Sequence, residues 1–75
     1  MPYPGKVSYK EFTDAYREWD EHVEGMDQDE RESAFKMLGL LYINFQSDAV
    51  HEEVNVKFLF FKASEDFWTY SMGLV

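Results

Sequence analysis

The chain reads as all-α, a small three-helix bundle, on three observations. Apolar residues recur at helical spacing in three successive stretches, and the first two stretches each open with a capping box. The joints between stretches are short, about residues 25–27 and 46–48, which makes neighbouring helices antiparallel. The expected helices are residues 9–24, 28–46 and 48–72. They form one domain over residues 1–75, with an extended lead over residues 1–7.

Pro2, Pro4 and Gly5 exclude helix from the lead. Tyr3 is placed to tuck back onto the body. Ser8 with Glu11 three residues on is a capping box, and Val7 with Phe12 is a hydrophobic staple. Tyr9, Phe12, Tyr16, Trp19 and Val23 then recur at alternating spacings of three and four, which is one apolar stripe. Gly25 is the expected stop.

Asp27 with Glu30 repeats the capping box. Ala34, Phe35, Leu38, Leu41, Tyr42 and Phe45 make the second apolar face, while Met37, Leu40 and Ile43 fall outside it. Gly39 lies within this helix at a cost of up to about 1 kcal/mol relative to Ala, which reads as a close helix contact.

Ser47 and Asp48 can cap the third helix, which divides into two apolar sides. Val50, Val54, Phe58, Phe61, Trp68 and Met72 share one side of a helical wheel. Val56, Phe60, Ala63, Phe67, Tyr70 and Leu74 share another, with Asn55, Lys62 and Asp66 between. A helix apolar on two sides runs through a bundle or shows one side to another chain. The rival is an α+β fold with a C-terminal hairpin at 54–72, since Val54, Val56, Phe58 and Phe60 also alternate. Its turn would hold no Gly, Asn or Pro. Ser64 with Glu65 and Asp66, then Gly73, is better helix punctuation, and a break near Ser64 is expected at most.

Charge is the other organising feature. The chain has 15 acids and 7 Lys or Arg, a net charge of −8. Residues 11–32 hold ten of the acids and two of the bases, so this block carries the whole imbalance. This charge argues against direct binding to nucleic acid or an anionic membrane, because phosphate binding needs clustered cations. A basic partner is favoured.

No cysteine is present, which removes disulfides, thiolate metal sites and thiol nucleophiles. The chain opens at Met1 without a basic-then-apolar leader, so a cytoplasmic protein is expected. The runs 37–45 and 54–63 are too short and too interrupted to span a bilayer.

Nothing in the sequence assembles a catalytic set. The serines read as caps or surface residues, His22 and His51 have no route to them, and no glycine-rich phosphate loop occurs. No enzyme activity and no cofactor are expected. Residues 27–32 lack the glycine and the terminal glutamate of a calcium loop. Glu18 with His22, and His51 beside Glu52 and Glu53, read as surface histidines near acids, so no metal is expected.

Glu11, Asp14, Glu18 and Glu21 follow one another at spacings of three, four and three, on a face nearly opposite the first apolar stripe. Like-charge neighbours at these spacings cost about 0.2–0.5 kcal/mol each. Lys10 and Arg17 return part of that cost. Such a row can offer a basic groove what a phosphate strand would offer.

The expectation is therefore a non-enzymatic protein-binding module. In its sharper form it is an acidic nucleic-acid mimic that occupies the basic surface of a nucleic-acid-binding protein or nuclease. Small acidic inhibitors that mobile elements turn against host nucleases share this size and charge. The expected partner-binding residues are Glu11, Asp14, Glu18, Asp20, Glu21, Glu24, Asp27 and Glu30, with Trp68 or Tyr70 as the apolar anchor. The alternative is a homo-oligomeric assembly or adaptor subunit, with a homodimer as its simplest form. It would pair through the second side of the third helix, at Phe67 and Tyr70, and its acids would serve only solubility.

Overall fold

The computed structural model describes residues 5–74, and these form a three-helix bundle. Helix α1 is Tyr9–His22, α2 is Gln28–Asn44 and α3 is Val50–Ser71, with a 3-10 turn at Val23–Gly25. Each helix packs against both others. The lead is described from Gly5 on. Its prolines and Tyr3 lie outside the described residues.

Both capping boxes form. Ser8 Oγ accepts from the Glu11 amide at 3.1 Å, and Glu11 Oε1 accepts from the Ser8 amide at 3.0 Å. Asp27 and Glu30 do the same at 2.8 and 3.0 Å. Val7 and Phe12 are both fully buried. Val7 also makes an isolated parallel bridge to Phe45, donating to the Asn44 carbonyl at 2.9 Å and accepting from the Gln46 amide at 3.1 Å. The lead is thereby tied to the far end of α2.

The end of α1 differs from the expected stop. The helix closes at His22 and passes into a 3-10 turn, and Gly25 has no positive φ. Buried Arg31 closes this corner instead. Its guanidinium donates to the Val23 carbonyl at 3.1 and 3.2 Å and to the Met26 carbonyl, and it lies 5.2 Å over the Tyr70 ring. A forked, delocalised cation suits two carbonyls and an aromatic face at once.

Helix α3 starts at Val50, two residues later than expected, with Ala49 as its N-cap. Ser47 Oγ accepts from the Ala49 amide at 3.0 Å and donates to Glu52, so the serine closes a turn before the helix. Residues 54–72 contain no hairpin. The helix also runs unbroken through Ser64, whose residue class permits a break without forcing one. It stops where Gly73 takes φ +68, with Gly73 donating to Tyr70 and Leu74 to Thr69, a Schellman end.

A line of aromatic rings packs against the core between the helices. Tyr42 stacks on Phe60 at 4.3 Å, Phe35 stacks on Phe67 at 4.7 Å, and Trp19 of α1 closes on Phe35 at 5.7 Å. Leu38, Leu41, Val56 and Ala63 are buried around them. A Cβ on Gly39 would stand 3.9 Å from the Phe60 ring, so the glycine faces α3 at ordinary van der Waals distance.

Candidate protein-interaction surface

The two apolar sides of α3 have opposite fates. Val56 and Ala63 are buried and Phe60, Phe67 and Tyr70 are partly buried against the core. The other side is bare. Val50, Val54, Phe58, Phe61, Trp68 and Met72 are all more than half exposed, from 59 % at Trp68 to 73 % at Phe58. Aromatic side chains cover about 150–250 Å² each. Two-thirds of three such rings is roughly 400 Å², which already matches the largest apolar patch of an ordinary monomer.

This placement separates the two expected anchors. Trp68 stands outward on the bare stripe, its ring edge-on to Phe67 at 5.4 Å. Tyr70 turns inward under Arg31. Phe67 and Tyr70, expected to carry self-association, belong to the packed side. A charge at either site would strike the core.

The acids form a second outward face. Glu11, Glu18, Asp20, Glu21, Glu24, Asp27 and Glu30 are exposed and Asp14 is partly so. Their local roles differ. Glu11, Asp27 and Glu30 serve the capping boxes. Asp14 lies between Lys10 at 2.6 Å and Arg17 at 3.3 Å, and the Lys10 hydrogen bond leads in holding its carboxyl below the usual range. Glu18, Asp20, Glu21 and Glu24 remain as the acids with no cap to serve, and among the described residues only Glu18 has a basic side chain near, the His22 ring at 3.8 Å.

Glu18, Glu21 and His22 bring one ligand atom each to within 4.8 Å of one another, all three exposed on one turn. His22 Nδ1 also lies 2.8 Å from the Glu18 carbonyl of its own helix. Beside this cluster a groove of about 280 Å³ runs between α1 and α2, lined by Ala15, Trp19, Ala34, Met37, Leu38 and Leu41 among others. Its walls are mostly apolar, and Glu18 and His22 of the cluster line it too. On the other flank of α1, burial leads in raising the Tyr16 phenol, with Asp20 and Asp66 adding to it. The Asp66 hydrogen bond leads in raising Lys62.

Sequence reasoning missed Arg31, which read as one of two bases inside an acidic run. Its position was the available sign. It stands four residues before Phe35 and seven before Leu38, on the apolar face of α2.

Among the described residues no helix is long and apolar enough to cross a membrane. Compared with family models, curated proteins and solved structures, the chain matches none.

Proposed function

We propose that the protein is a non-enzymatic protein-binding module. The observation that carries this reading is the bare stripe on α3, where six apolar side chains point away from their own core. A face of this kind is stabilised by protein packed against it. The acids on α1 and the α1–α2 corner form a separate outward face, and they favour a basic partner of the kind that binds nucleic acid. A nucleic-acid mimic is the sharper form of that second reading. The exposed Glu18, Asp20, Glu21 and Glu24 support it, and the Lys10 and Arg17 pairings with Asp14 weaken it.

The test is capture from a lysate by three tagged baits: wild type, Phe58→Glu with Trp68→Glu, and an amide variant of Glu18, Asp20, Glu21 and Glu24. Beads are washed at about 0.15 M and 0.5 M salt, between which the screening length falls from about 8 Å to roughly half of that. A partner held by the stripe survives high salt and is lost with the double glutamate bait. A partner held by the acids is lost at high salt and with the amide bait. If all three baits retrieve the same proteins at both salts, neither face binds and the reading fails.

A further inference from the structure

Resting on that reading, we infer that the occupant of the α3 stripe is a second copy of the chain, packed antiparallel about a two-fold axis beside Phe61. The area, the size gradient along the stripe and its two interrupting charges each support this.

A standard interface takes about 800 Å² from each partner. The three rings alone offer about half of that. Val50, Val54, Met72 and the stems of Lys57 and Glu65 extend the same strip along the length of α3, so one helix face approaches the area that a stable dimer needs.

The stripe is also graded. Its N-terminal end carries Val50 and Val54, its middle Phe58 and Phe61, and its C-terminal end Trp68 and Met72. Phe61 is the midpoint between Val50 and Met72. An isologous pairing that turns the second helix end for end sets each valine beside Trp68 or Met72 of the other copy. Small meets large at both ends of the strip, and the two Phe61 rings meet at the axis. A parallel pairing would set Trp68 against Trp68 and valine against valine, crowding one end and gapping the other.

Charge selects the same arrangement. Lys57 and Glu65 are the two charges inside the stripe, with Glu65 between Phe61 and Trp68. In a parallel pair Glu65 would meet its own copy in an apolar seam, with like charges opposed. In the antiparallel pair it comes level with Lys57 of the second copy, and Lys57 with its Glu65. Lys57 makes no ion pair among the described residues, whereas Lys62 is engaged by Asp66 at 3.0 Å and Glu65 at 3.8 Å. The acidic face of α1 lies on another helix and stays outside such a dimer.

The test is light scattering behind gel filtration, from micromolar to millimolar loading, with circular dichroism as the check on folding. Wild type should run at twice the 8.9 kDa of one chain. Phe61→Lys should run as a folded single chain, and Phe58→Glu gives the same reading at a second exposed position. Lys57→Glu and Glu65→Lys should each weaken the dimer by about tenfold or more through opposed like charges, and the two together should restore it. Added salt should tighten the dimer, because copies of charge −8 repel. That sign is opposite to the one expected of binding through the acids.

A wild type that stays a single chain at every loading overturns the inference, while the capture experiment still decides whether the stripe binds another protein. A dimer that survives both Phe61→Lys and Phe58→Glu overturns it too, because its interface then lies elsewhere. Singles that weaken without rescue in the double variant overturn the antiparallel register.

Discussion

Arg31 is the residue on which the α1–α2 corner depends. A 3-10 turn leaves carbonyls without helical partners, and a buried carbonyl without a donor costs about 1–3 kcal/mol. The guanidinium supplies Val23 and Met26 from one side chain and covers Tyr70 with its face. Arg31→Met should lower stability by about 2–3 kcal/mol, read as a shifted urea midpoint at constant slope. Arg31→Lys should recover little, since an ammonium cannot reproduce the fork. Much at this scale was legible in the sequence. Val7, Ser8, Glu11 and Phe12 announce their staple and box by spacing alone, because every partner lies within one helical turn. Arg31 was not legible in the same way, because its partners are brought to it by the turn that it closes. Ser47 shows the limit of the cap rule. Its hydroxyl has Glu52 and the Ala49 amide within reach and binds both, which leaves Ala49 in the cap position.

At the scale of elements, pattern placed three helices and divided α3 into two sides. It could not say which side turns inward, because both are apolar at equally good helical spacing. The choice rests on shape across the bundle. Phe60 and Phe67 find Tyr42 and Phe35 at stacking distance, with Trp19 behind. Among the described residues, no aromatic ring pairs with Phe58 or Phe61. The helix also outcompeted the hairpin because α2 offered those rings at the positions that only a helix presents together. Gly39 belongs at this scale. Sequence marks it as a close approach, yet a Cβ there would meet only the Phe60 ring at 3.9 Å. Gly39→Ala should raise stability by up to about 1 kcal/mol through helix propensity, read in a thermal melt. Loss of stability instead would mean that the α2–α3 seam has less room than the geometry gives it.

At the scale of the molecule, one small bundle carries two outward faces of contrasting chemistry. The acids repel one another in the folded state, where Glu18, Asp20, Glu21 and Glu24 are held within two turns of a helix or just past its end. Changing these four to amides should raise the melting temperature by a few degrees and flatten its rise with added salt, followed by calorimetry across a salt series. An unchanged salt response would place the strain in other charges. The stripe on α3 has no such effect within a single chain, because its side chains touch little of their own protein. At loadings too dilute for a second copy to bind, Phe58→Glu should therefore leave the melt nearly unchanged where Phe67→Glu abolishes it.

The bridge between Val7 and Phe45 makes residues far apart in the chain answer to one event. The Val7 amide is held by Asn44 and the Gln46 amide by Val7, over a side chain with no exposure. Neither amide can trade its hydrogen for deuterium without lifting the same segment. The lift also frees the cap at Ser8 and uncovers Phe12. Exchange at Val7 and Gln46 should thus keep a common protection factor across temperature and denaturant, and the lead behaves as a clasp whose release loosens the start of α1 and the end of α2 together.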